Sequence, residues 1–267
     1  MTPREQAVRD LPILRKNLID LGKLSTKAFD SQIKIPTRSH LRFVLVSFAV
    51  KQIEHSHSLL KLESSVDTVL IARSMLEGLA QLLWVMKRSR RRPLMWRAFV
   101  YVLDWRLLQK QRLEGLHIDP VVARHNRRGI RQYGKWFLTK KARVALASGK
   151  PLPPDPYTKN WYGETEADIF RDVGGAALLE AAYAPFSEWH HWRPGAFGRL
   201  LSFDKGTSTF TMTTSEPSQL AEALAVGFQC LWETMQLFNK RHRLGIGREL
   251  QQLKRRQIAL AKDRSAK

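Results

Sequence analysis

Cysteine is almost missing from this chain, with Cys230 the only one among 267 residues. One thiol can neither close an internal disulfide nor build a cysteine-rich zinc centre, so a stapled secreted scaffold is excluded. Long apolar runs are missing too. The longest, 43–50 and 79–86, fall short of a bilayer span, and Arg73 and Glu77 interrupt the approach to the second. The opening residues Met1-Thr2-Pro3-Arg4-Glu5 hold no apolar stretch of signal-peptide type. The expected setting is therefore cytoplasmic and reducing, with no membrane partner. No Walker A loop, GxGxxG turn, GxSxG elbow or HExxH helix occurs, which removes the commonest nucleotide, hydrolase and zinc-protease chemistries. His55 and His57, and His190 and His191, stand at spacings that point to different helix faces, and no carboxylate cluster accompanies them. No metal and no other cofactor is expected.

Acidic residues are the remaining shortage: 24 Asp and Glu face 45 Lys and Arg, a formal charge of +21. The surplus is local. Residues 86–150 carry eighteen bases and three acids, and residues 240–267 carry ten bases and two acids. The rest of the chain is close to neutral. Within the first block Trp96, Tyr101, Trp105, Tyr133 and Trp136 interleave with the bases. Clustered cations beside planar rings suit phosphate neutralisation and base stacking. A solubilising helical surface whose rings point into the core, or attraction to an anionic membrane, are the competing readings of the same block. The expected nucleic-acid contacts are Arg88, Arg90, Arg91, Arg92, Arg97, Arg127, Arg128, Arg131, Lys140 and Lys141 in the block. Lys254, Arg255 and Arg256 join them from the tail.

The hydrophobic periodicity is helical almost throughout. Thr2-Pro3-Arg4-Glu5 has the form of a capping box with proline at the first helical position, and Leu11, Leu14, Leu18 and Leu21 follow at helical spacing. Further helices are expected over 39–62, from 64–65 to about 86, over 94–113, from Asp119-Pro120 toward Trp136, and over 140–148. Pro151, Pro153, Pro154 and Pro156 mark a stiff loop. Helical pattern returns over 164–172 and 176–184, and a long helix follows Ser215-Glu216-Pro217, ending at Gly245 and Gly247. The expectation is an all-α, multi-helix bundle with a short β-hairpin or extended loop near 200–214 and a basic C-terminal helix. One helical domain would cover 1–248, containing the basic segment 86–150 and the Pro-rich loop 150–162. Residues 249–267 would form a basic helical tail.

Two constellations could carry chemistry. Arg73 and Glu77 lie four apart on a strongly apolar helix, so they share a face and can pair. Such charges are costly to bury unless paired or used, so a structural ion pair and a polar pocket both remain open. Tyr183, Ser187 and His191 follow at intervals of four. Pro185 is expected to break the helix between the first two, and Arg193-Pro194 to close the new one. Ser187 beside His191 could suggest an activated nucleophile, but no orienting Asp follows. A proton-transfer or phosphate-binding role for His191 fits better. The arginine–histidine spacing of one class of helical ribonucleases occurs once, as Arg112 and His117. Composition alone would produce roughly two or three such matches, so it carries no signal.

The run Ala72-Arg73-Ser74-Met75-Leu76-Glu77-Gly78-Leu79 resembles the Arg-Ser-x-x-Glu helix of the bacterial family called domain of unknown function 5677. Trp161, and then Tyr183, Ser187 and His191, look like that family's Trp and its Tyr-x-x-x-Ser-x-x-x-His element. The likeness covers about 64–194. Pro185 inside the Tyr–Ser spacing and the very basic insert depart from the pattern. The family's helical layout is similar to the HEPN (higher eukaryotes and prokaryotes nucleotide-binding) class, which includes ribonuclease toxins and phage-defence proteins. The resemblance implies that Arg73, Glu77, Ser187 and His191 share one polar pocket and act as a ribonuclease-like centre. The alternatives are a non-catalytic adaptor in a nucleoprotein complex and a protein–protein interaction scaffold. A protein partner in a larger assembly, or an oligomer, is compatible with each.

Overall fold

The helix-forming signals at the N-terminus close on themselves. In this computed structural model, which describes residues 2–30, 33, 35–36, 38–62, 64–88, 90–191, 201–204, 206–212 and 216–265, Thr2 N–H donates to Glu5 Oε2 (2.8 Å) and Glu5 N–H to Thr2 Oγ1 (3.2 Å). This reciprocal box opens α1 (Pro3–Asp30), which runs on through Pro12. The chain is all-α in character. It continues through α2 (His40–Lys61), α3 (Ser65–Lys87), α4 (Arg91–Ala98), α5 (Val100–Leu113), α6 (Pro120–Tyr133), α7 (Lys140–Ala147) and α8 (Glu166–Asp172). Then come α9 (Ala176–Leu178), a π-helical turn Leu179–Tyr183, α10 (Ala184–His190), α11 (Pro217–His242) and α12 (Gly247–Ser265). Two four-residue strands, β1 (Leu201–Asp204) and β2 (Thr209–Met212), pair antiparallel with Leu201 opposite Met212.

The chain groups into two compact units, 1–36 with 45–84 and 169–267, and 37–44 with 85–168. The division crosses the single domain expected over 1–248. The expected basic segment falls inside the second unit, and the expected tail belongs to the first.

In the first unit α1 packs along α11. Leu14, Leu18 and Leu21 are buried on one face, and Phe29 stacks on Phe238 with 4.7 Å between ring centres. Gly227 is where α11 meets α2, since a Cβ there would lie 2.4 Å from Leu59 Cδ1. α11 ends on Arg243 in the left-handed region (φ 56°), not on glycine, and Arg243 N–H caps Asn239 O at 2.7 Å. α12 is tied down: Leu250 and Leu253 are buried, Trp232 Nε1 donates to Leu250 O (2.8 Å), and Asn17 Nδ2 to Gln257 Oε1 (2.9 Å). By length and composition α3 alone among the described helices could cross a membrane. Counting uninterrupted runs misses this, because Arg73 and Glu77 break the run without lowering the average enough. Here Val69, Ala72, Met75, Leu76 and Leu79 of α3 are buried within the protein.

In the second unit α4 starts two residues before Pro93, earlier than the expected start at 94. A proline in the first helical turn lacks only an N–H that would have no partner there. α5 carries α6 through Tyr101. Asn126 Nδ2 donates to Tyr101 O (2.7 Å), and Gly129 lies against the Tyr101 ring so closely that a Cβ would sit 2.2 Å from Cδ1. Asp119 Oδ1 accepts from Val121 N–H (2.7 Å) with Pro120 next to it, the expected N-cap of α6. The Pro-rich loop is pinned by Arg106. Its guanidinium holds Asp155 and donates to the Tyr157 and Thr158 carbonyls, both at 3.0 Å, while Leu138 and Tyr157 form a β-bridge.

Candidate functional site

The first candidate is the polar network on α3. Arg73 and Glu77, one turn apart, form an ion pair (2.8 Å) with side chains 15% and 27% exposed. Arg73 also reaches the segment that resembles the Tyr-x-x-x-Ser element: Nε donates to Ser187 Oγ (3.1 Å) and Nη2 to Tyr183 OH (3.0 Å). Tyr183 OH donates in turn to Glu77 Oε1 (2.9 Å), and Ser187 Oγ donates to Tyr183 O (2.8 Å). The Arg73 guanidinium also lies over the Tyr183 ring at 5.1 Å. Burial, offset by the Arg73 hydrogen bond, raises the Tyr183 phenol above its ordinary pKa, with Glu77 adding to the rise, so the hydroxyl stays protonated as a donor at neutral pH.

Pro185 stands in the first turn of α10, the new helix expected of it, but the backbone does not break between Tyr183 and Ser187. The π-helical turn Leu179–Tyr183 precedes it, and Ala184 N–H bonds five residues back to Leu179 O. Widening the helix there accommodates the ring and the missing N–H of proline, so the backbone stays helical from 176 to 190. The expected closure at Arg193-Pro194 lies outside the described residues.

His191 is placed differently from the other three. It is exposed, and its ring meets His190 edge-on at 5.0 Å. Ser187 uses its proton on a backbone carbonyl and a lone pair on Arg73, so it is no activated nucleophile. A further polar contact that the spacing did not reveal joins Ser74 Oγ to His55 Nε2 at 3.2 Å. Burial, and then Lys51, hold the His55 ring below its ordinary pKa despite Glu54. Among the described residues no group of three or more His, Cys, Asp or Glu could hold a metal ion. Burial also raises the pKa of the Cys230 thiol, which leaves it inert.

The second candidate is the basic surface of the second unit, where 21 Lys and Arg face seven Asp and Glu. Arg88, Arg90, Arg91, Arg127, Arg128, Arg131, Lys140 and Lys141 are exposed. Of these, Arg127, Arg128 and Arg131 on α6 and Lys140 and Lys141 on α7 have no carboxylate in salt-bridge range among the described residues. Arg92 and Arg97 are half-buried, and Arg97 bonds His40 Nδ1 at 3.0 Å and lies over the Phe43 ring. Trp136 is half-buried with Arg91 above it at 5.8 Å, and Trp105 meets Tyr157 edge-on. In α12 of the first unit Arg255 is exposed, while Arg256 pairs with Asp20 (2.9 Å). Lys254 turns inward onto Gln229 and the Trp232 ring, and burial lowers its pKa. These inward-turned bases were indistinguishable from surface ones by spacing, because their partners lie far along the chain. No family model, curated protein or solved structure matches this chain.

Proposed function

We propose that this protein binds nucleic acid through the basic surface of its second unit, as a non-catalytic adaptor. The observation that carries the reading is the row of exposed cations on α6 and α7, Arg127, Arg128, Arg131, Lys140 and Lys141, with no carboxylate in salt-bridge range among the described residues. Cations without a carboxylate partner are free to neutralise phosphate and release its counterions. α6 is also anchored on its inner side by Asn126 and Gly129, which leaves the outer side rigid and available.

The resemblance to the domain of unknown function 5677 family, and through it to HEPN ribonucleases of phage defence, supports a second reading in which Arg73, Glu77, Ser187 and His191 cleave RNA. Arg73, Glu77 and Ser187 do touch one another. Two features weigh against cleavage: Arg73, Glu77, Tyr183 and Ser187 bond to one another, and His191 is exposed. The network serves better as a clamp fixing the 176–190 segment to α3.

Labelled RNA and DNA incubated with the protein separate the readings. Salt-sensitive binding with intact strands is the expected result. Cleavage lost on His191→Ala would replace the adaptor with an enzyme. No binding at moderate salt would leave a protein–protein scaffold.

A further inference from the structure

The second unit contains a cavity of about 740 Å³, open to solvent and within the ~300–1,000 Å³ span of small-ligand sites. Six rings, Phe43, Trp96, Phe99, Tyr101, Tyr133 and Trp161, share its lining. Trp161 is buried, Trp96, Tyr101 and Tyr133 are half-buried, and Phe43 is 40% exposed. Phe43 and Trp96 lie 6.2 Å apart, and Tyr101 stacks on Tyr133 at 6.0 Å with 13° between their planes. Among the described residues Arg97 is the only Lys or Arg in the lining. It lies 4.6 Å from the Phe43 ring centre and bonds His40, so its position is set before any ligand arrives. α6 delivers Tyr133 to the cavity wall and carries Arg127, Arg128 and Arg131 on its exposed side.

We propose that this cavity receives an unpaired base of single-stranded nucleic acid, stacked among the rings, with the neighbouring phosphate on Arg97 and the strand continuing over the α6 arginines. The assignment rests on the nucleic-acid reading above and adds to it a strand preference and a pocket. Aromatic walls alone would suit an acyl chain or a peptide side chain. A fixed guanidinium in the lining, in a unit with threefold more bases than acids, selects a planar group joined to an anion. Duplex bases already have both faces covered and cannot enter. Of the five rings that interleave with the bases, Trp96, Tyr101 and Tyr133 line the cavity and Trp105 and Trp136 do not.

The test measures anisotropy of a short labelled single strand, the same strand with one abasic site at each position in turn, the matching duplex, and a free mononucleotide, against the wild type and Trp96→Leu. Leucine keeps an apolar wall while removing the stacking face. Loss of one base–aromatic stack lowers affinity about 5- to 150-fold. The expected result is that drop for Trp96→Leu on the intact strand only, with duplex affinity and the salt slope unchanged. One abasic position should reproduce the drop on the wild type, which keeps the test independent of whether the variant folds. Wild-type binding that no abasic site weakens would overturn the pocket and leave the basic grip standing. Absence of binding to strand and duplex alike would overturn both. Equal occupancy by the mononucleotide and the strand, per base, would make the site one for free nucleotides and refute the strand path over α6.

Discussion

Arg127, Arg128 and Arg131 give the cleanest handle on the proposed grip. All three project outward from α6 without a carboxylate in range among the described residues, while Asn126 and Gly129 hold the helix from inside. Replacing the three by Gln keeps residues of similar helix propensity and touches no packed contact, so stability should change by about 0.5 kcal/mol or less. Binding should change much more. Each phosphate contact contributes about −0.7 to the log–log salt slope on a single strand and about −0.9 on a duplex. Removing three should flatten the slope by about 2 to 3. Near 0.1 M salt the same arithmetic gives an affinity loss on the order of a hundredfold. Anisotropy titrations across a salt series measure both quantities, with circular dichroism to confirm the fold. Arg90, Arg91 and Arg92 offer a poorer choice, since Arg92 is half-buried and engaged and Arg91 covers Trp136. A folded triple variant with the wild-type slope would refute the assignment of phosphate contacts to α6.

Three further outcomes follow from the packing. Tyr183→Phe removes the hydroxyl between Arg73 and Glu77 but leaves their direct pair, so urea melts should show a loss of about 1 kcal/mol with nucleic-acid affinity unchanged. Affinity lost in a folded Tyr183→Phe protein would move the network from clamp to binding site. Gly129→Ala drives a methyl into the Tyr101 ring and should destabilise the second unit by about 1–3 kcal/mol in the same assay. Its neutral acceptance would mean α6 is not seated on Tyr101. His55 has a lowered pKa when folded, so the unfolded chain takes up its proton first as pH falls. Its contribution is therefore complete above the ordinary value of 6.5 and declines below it, and His55→Gln should reduce the acid-side fall in urea midpoint. An unchanged pH profile would place that fall on other groups.

What could be read in advance was local. The Thr2–Glu5 box and the Arg73–Glu77 pair join residues three and four apart, which fixed helical geometry brings together in any context. The helical character of the chain followed from periodicity for the same reason. The link from Arg73 to Tyr183 and Ser187 spans more than a hundred residues, and only the family resemblance suggested it. Pro185 was read by the rule for a regular α-helix, but the π-helical turn before it changes which carbonyl faces the ring. Arg106 and Lys254 counted as surface charge until the fold supplied Asp155, the loop carbonyls, Gln229 and Trp232. The aromatic cavity was half legible. Trp96, Tyr101 and Tyr133 lie in the basic block, whereas Phe43 and Trp161 arrive from either side of it.

α6 divides sharply into a side that tolerates no added carbon at Gly129 and a side that is exposed. Tyr101 forbids even one carbon at Gly129, while Arg127, Arg128 and Arg131 are exposed and their side chains make no ion pair or hydrogen bond among the described residues. Such a helix can be rewritten on its outer side at almost no thermodynamic penalty. Mutation can alter its charge in single steps, each one viable, while the seat beneath stays constant. The affinity of the surface can therefore drift, or be engineered, toward longer, shorter or oppositely charged partners without the chain having to rediscover how to fold.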